Sequence, residues 1–329
     1  MRYGWPHIYD VGRLRDLSLP LGREVASDPF SLFYLNPPAA AWVVVPLTLL
    51  PISAALGVWS IVNVAAFVGA SRLVFPRGGF VWVTTLLVSL AVWPTVFSLE
   101  RGQMEPIVYG LAIASWWMAE RGRQRWAGIL LALAMAFKPQ DVLLLPAVLV
   151  ICGMYRAAAW WLLTSTALLV LFVVTVGAEG IGSNLAVVWW STSADPSFIA
   201  KPFIAPFGPY LSLLVGQAVF ALLTLGAAWR QRWSLRIAFA IGLVGTLASG
   251  VHLHVYDYVG LVVAAWLVLS AEDVSVVELG WLGVGVICVQ LTAIGVGLPL
   301  LLWQPVWIVL LGLRPVRVRE PRAALGNPA

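Results

Sequence analysis

Charge is scarce in this chain. Only 11% of its residues are Asp, Glu, Lys or Arg, against about 25% in soluble domains, so no globular surface can be built from it. Lysine is nearly missing: of the 20 basic residues, only Lys138 and Lys201 are lysine, a bias that fits a GC-rich genome. The two cysteines, Cys152 and Cys288, both lie inside apolar runs and lack motif spacing. That argues against a disulfide framework or a cysteine metal site, and both read as small buried hydrophobes. Strict apolar–polar alternation is missing too, which argues against a membrane β-barrel. No internal repeat is evident.

What the chain has is hydrocarbon: 61% of its 329 residues are hydrophobic and the mean hydropathy is +0.91. Continuous apolar runs of this kind predict an all-α, polytopic transmembrane helical bundle, because backbone polar groups in a bilayer must be satisfied internally. Candidate spans lie at 54–74, 80–98, 105–119, 126–138, 142–154, 157–177, 206–229, 237–251, 256–271, 277–296 and 298–313, ten or eleven in all. The two flanking Lys138 are short, ~13 residues or ~20 Å each. Residues 38–50 are too short to cross and are expected to form an interfacial or re-entrant helix closed by Pro51.

The formal charge is +5 and the pI about 9.5. The basic residues fall in loops between spans, so topology explains them and no nucleic-acid partner is implied. With alternating spans, Arg72, Arg77, Arg121, Arg123, Arg125, Arg156, Arg230, Arg232, Arg236, Arg314, Arg317, Arg319 and Arg322 share one face. These are 13 of the 20 basic residues, which marks that face as cytoplasmic. The opposite face receives ten of the 15 acidic residues and all three histidines, His7, His252 and His254. The chain then divides into an extracytoplasmic segment (1–53), a transmembrane domain (54–313) and a basic cytoplasmic tail (314–329). Residues 1–53 have no apolar segment ahead of them, so a further span upstream of Met1 is expected.

Ionisable groups at membrane depth are functional candidates, and three stretches carry them, after a fourth that is marked by prolines. FYLNPPAAAW (33–42) holds Pro37-Pro38, which fix φ and set a rigid entry to the short helix. LERGQMEP (99–106) places Gln103 and Glu105 at the start of a span, where an acid suits the helix dipole. These two residues read either as a loop and helix cap or as polar groups facing a cavity. Lys138-Pro139-Gln140-Asp141 sets a lone ammonium where basic residues are sparse. It reads as a snorkelling anchor or as a fixed charge for a phosphate. HLHVYDY (252–258) brings His252, His254, Tyr256 and Asp257 to the start of a span. Its i, i+2 histidines are poorly spaced for a helical metal site, so no metal ligand set is assigned. They read as a polar cap or as groups that bind sugar hydroxyls or pyrophosphate. The stretch 178–205, with Trp189-Trp190, Asp195 and Lys201, is expected to be an outer loop.

In order, Pro37-Pro38 with its short helix, GQME (102–105), RGRQRWAG (121–128), FKPQ (137–140) and HLHVYD (252–257) resemble one family. This is glycosyltransferase family 87 of the GT-C superfamily, polyprenol-phosphate-mannose-dependent α-(1→2)-mannosyltransferases, over roughly residues 5–271. The resemblance implies a multi-pass bacterial plasma-membrane hexosyltransferase with an extracytoplasmic active face. It implies a polyprenyl-phosphate-linked sugar as donor and a cell-envelope glycolipid or glycan hydroxyl as acceptor. It fixes no cofactor and no metal requirement. Gln103, Glu105, Lys138, Gln140, Asp141, His252, His254, Tyr256 and Asp257 are the expected donor-binding residues. The family's base lies in the first outer loop, ahead of the part that GWPHIYD (4–10) matches, so Asp10 and Asp16 are the stand-ins for it. A transporter or flippase of lipid-linked saccharides, and a non-catalytic relative of the enzyme, are the competing readings.

Overall fold

The structure, a computed structural model, describes residues 4–10, 36–194, 209–250 and 253–315. Every regular element among the described residues is a helix, as the continuous apolar runs require. A short helix, α1 (Pro38–Val44), continues as a 3-10 turn over Val45–Leu49 and stops before Pro51, as expected for 38–50. Then come α2 (Ile52–Val74), α3 (Gly79–Ala91), α4 (Trp93–Glu100), α5 (Glu105–Glu120) and α6 (Gln124–Phe137). They are followed by α7 (Pro139–Val142), α8 (Leu145–Ile151), α9 (Tyr155–Ala194), α10 (Pro209–Arg230) and α11 (Leu235–Ala248). The last are α12 (Val259–Leu269), α13 (Val276–Leu291) and α14 (Leu298–Leu313).

Among the described residues, three helices are long and apolar enough to cross a bilayer alone: α2, α9 and α13, the last counted with its 3-10 extension to Ile294. A fourth span exists if α3 and α4 count as one, although they bend by 62° at Val92. Pro94 explains the bend, since it removes a backbone donor and clashes with a preceding turn. The remaining apolar helices run 10–17 residues, shorter than the roughly 20 that a full span needs. Two of them sit deep in the bundle. Every residue of α11 from Ile237 to Leu247 is buried, and most of α12 is buried beside it. A helix screened from lipid by its neighbours has no hydrocarbon thickness to match.

The expected outer loop at 178–205 is corrected in its first half: α9 runs on to Ala194. Only Gly177 leaves helical geometry there, at φ +71°. Gly180 after it serves close packing. A Cβ on Gly180 would lie 2.8 Å from the Pro6 carbonyl oxygen, because the N-terminal 3-10 turn Trp5–His7 rests on this part of α9. His7 pairs with Glu179 at 3.7 Å. Tyr9, almost fully buried, donates to the Asn36 carbonyl at 3.0 Å, and burial pushes its phenol pKa up. Asp195 and Lys201 lie outside the described residues.

The helix ends sort into two faces. On one, Glu120, Trp233, Arg236, Glu272, Asp273 and Arg314 surround a cavity of about 480 Å³. The ends of α5, α10, α12 and α14 therefore meet, as the shared basic face required. Arg236 pairs with Glu120 at 3.8 Å, Arg314 pairs with Glu278 at 2.9 Å, and Gln231 donates to the Arg314 carbonyl at 2.9 Å. At the opposite end, the start of α5, the α6–α7 junction and the segment before α12 come together.

Candidate functional site

The second face holds a buried charge network. Lys138 ends α6 and precedes Pro139, and the residue before a proline is driven out of helical geometry. Its backbone is accordingly extended, at φ −146° and ψ 88°, and its side chain turns inward. The ammonium pairs with both Glu105 and Asp257. Lys138 is 3% exposed, and Glu105, Asp141 and Asp257 are fully buried. Charges removed from water need partners and satisfied lone pairs, and most are supplied here. Ser98 on α4 donates to Glu105 Oε2 at 2.6 Å. The His254 amide donates to Asp257 Oδ2 at 2.6 Å, which ties down the 3-10 turn Val255–Tyr258. Tyr109, one turn after Glu105 on α5, donates to the Asp257 carbonyl at 2.7 Å. Asp141 is the exception: neither oxygen accepts a well-formed hydrogen bond, although the Tyr109 hydroxyl lies beside it.

Aromatic rings cover this network. The Lys138 ammonium lies 4.5 Å from the Tyr256 ring centroid, close enough for a cation–π contact. Tyr256 contacts His254 at 5.0 Å and stacks with Phe97 at 6.0 Å between centroids. The bend between α3 and α4 delivers both Phe97 and Ser98 to this place.

The turn that ends α4 is set by Gly102. Gly102 N–H donates to the Leu99 carbonyl and Gln103 N–H to the Ser98 carbonyl, at 3.2 and 2.8 Å. This is the Schellman pattern, which needs a left-handed residue, and Gly102 stands at φ +63°. The Trp59 indole donates to the Gly102 carbonyl at 2.7 Å. Beside the turn opens a cavity of about 610 Å³ between α1, α2 and this loop. Leu47, Leu50 and Leu56 give it apolar walls, while Arg101, Gln103 and Asn36 give it a polar end.

Of the expected site residues, Glu105, Lys138, Asp141, His254, Tyr256 and Asp257 are brought together. Gln103 lines the adjacent cavity, and Gln140 is half-buried on α7. Asp10 lies with the N-terminal turn against α9, while Asp16 and His252 fall outside the described residues. The Lys138 ammonium faces carboxylates here, not an open cavity. Ser98, Tyr109 and Arg101 were not expected. Tyr109 had a signal, since i, i+4 positions share a helix face, but Ser98 had none beyond its nearness to LERGQMEP. The ligand atoms of Glu105, Asp141 and Asp257 lie within 4.8 Å of one another. Three oxygens that close are the kind of set that hard divalent cations take, although Lys138 already lies against two of the carboxylates.

An all-helical bundle with membrane-length apolar helices, and with a buried charge network beside an apolar-walled cavity, is of the polytopic membrane-protein class. The family model "Glycosyltransferase family 87" matches residues 34–273. The chain belongs to this family and is thereby a membrane glycosyltransferase. The match holds Gln103, Glu105, Lys138, Asp141, His254 and Asp257, but excludes Asp10 and Asp16. No curated protein and no solved structure matches the chain.

Proposed function

We propose that this glycosyltransferase moves a hexose, mannose, from a polyprenyl phosphate to a hydroxyl of an envelope glycolipid or glycan. The reaction takes place on the extracytoplasmic face of a bacterial plasma membrane. One observation carries the reading: the cavity with apolar walls and a polar end, one residue from the buried network that begins at Glu105. A polyprenyl phosphate has the same two-part chemistry. Its chain suits Leu47, Leu50 and Leu56, and its phosphate suits the Arg101 guanidinium and the Gln103 amide. Arginine and amide donors stabilise the charge that grows on the leaving phosphate, while a base accepts the acceptor's hydroxyl proton. In this reading the Lys138 network holds the His254–Asp257 turn in place at the sugar end.

The test is transfer in proteoliposomes from polyprenyl-phosphate mannose to mannose-bearing glycolipids. Arg101→Gln with Gln103→Ala is expected to weaken donor use by about 10- to 100-fold, the worth of hydrogen bonds to a charged group. His254→Ala is expected to lower turnover. Absence of transfer from the polyprenyl donor, or transfer undiminished by Lys138→Ala and His254→Ala together, would overturn the assignment.

A further inference from the structure

The basic face contains a second site, independent of the donor reading. Arg123, Arg125 and Arg156 converge with Trp126 and Trp160 on a cavity of about 460 Å³. No acidic residue lines it. Among the described residues, none of the three arginines has an ion-pair partner, unlike Arg236 and Arg314 nearby. The Arg125 guanidinium lies over Trp160 at 4.8 Å and over Trp126 at 5.9 Å, which holds it in place without neutralising it.

The local fold makes this cluster more positive still. The turn between α5 and α6 and the turn between α8 and α9 place two helix N-termini side by side. Neither helix has an acidic residue in its first turn, and α6 has no side-chain cap. Helix N-termini carry positive partial charge and normally attract acids; here they are given arginines. An anion seated in the cavity would meet the positive charge of three guanidinium groups and two helix ends together.

We infer that this cavity binds the phosphate headgroup of an anionic phospholipid. A lipid is preferred to a soluble anion because the apolar surface continues from the site. Leu162 and Leu163, 58% and 59% exposed, follow Trp160 along α9 and offer an acyl chain its path. Tyr155, Trp126 and Trp160 supply the aromatic belt found at headgroup depth. Basic pockets between spans that hold anionic headgroups follow the same logic.

The experiment is native mass spectrometry of the full chain released from nanodiscs of equal phosphatidylcholine and phosphatidylglycerol. Wild type is expected to retain phosphatidylglycerol in preference to phosphatidylcholine. At about fivefold per guanidinium, R123Q/R125Q/R156Q loses that preference by roughly 100-fold and R125Q alone by about fivefold. The same-face control R230Q/R232Q keeps it. An unchanged preference in the triple variant and in R125Q overturns the site. Equal loss in the control reduces it to diffuse surface charge, and displacement by millimolar inorganic phosphate makes it a soluble-anion site; either outcome overturns the lipid assignment.

Discussion

Lys138 is the residue on which one end of the bundle turns. One ammonium serves two buried carboxylates from elements 33 and 119 residues away. Removing one partner from a buried ion pair leaves an uncompensated charge and costs about 3–5 kcal/mol. Lys138→Met strands both carboxylates, so it is expected to lower thermal stability most. Glu105→Gln and Asp257→Asn each break one pair and are expected to cost nearly as much. Asp141→Asn has the opposite sign: it removes a carboxylate that has no well-formed hydrogen bond, so stability is expected to hold or rise. Melting followed by tryptophan fluorescence in detergent checks the order. An Asp141→Asn loss as large as that of Lys138→Met would mean that Asp141 belongs to the ion pairs. The sequence singled out all four residues, because an ionisable group in so apolar a chain is conspicuous. It could not pair them, since a lysine carries no local mark of a partner more than a hundred residues away.

At the scale of helices, apolar runs marked nearly every element, and the failures have a common cause. The stretch after Gly177 lost hydropathy through Gly180, Gly182, Ser183 and Asn184 and so read as a loop, yet it is helical to Ala194. Small residues lower hydropathy whether they mark a turn or admit a neighbour's backbone. Gly128 shows the second use: a Cβ there would lie 2.2 Å from the Ala157 carbonyl and 2.6 Å from the Trp161 amide. Close helix approach through small residues is a common mode of membrane packing. Gly→Ala inside a helix ordinarily stabilises by roughly 0.5–1 kcal/mol. Gly226→Ala on α10, with open space around it, is expected to follow that rule and raise the melting temperature. Gly128→Ala is expected to reverse it and cost about 1–3 kcal/mol through overpacking of α6 on α9. Equal shifts in the two variants would show that α6 and α9 do not approach so closely.

For the whole molecule, the charge bias and the packing point the same way, though only the packing is a contact. The loops of one face meet around Glu120, Arg236 and Arg314, while Glu105, Lys138 and Asp257 meet at the other. Span length alone could not have sorted them, because α11 and α12 are shorter than a lipid-facing span and are buried among their neighbours. Orientation in the membrane is then a single choice, and the proposed function takes the arginine-rich first face as cytoplasmic, as the positive-inside rule expects. Two cysteines are easily removed, so a Cys152→Ser, Cys288→Ser background permits a direct reading. Glu100→Cys, exposed at the end of α4, is expected to react with a membrane-impermeant maleimide on intact spheroplasts. Arg232→Cys, in the turn between α10 and α11, is expected to react only after permeabilisation. The reverse pattern would put the Gln103 cavity inside the cell. There a donor of the polyprenyl-phosphate type would have to present its sugar to the cytoplasm, and the proposed envelope acceptor would fall with it.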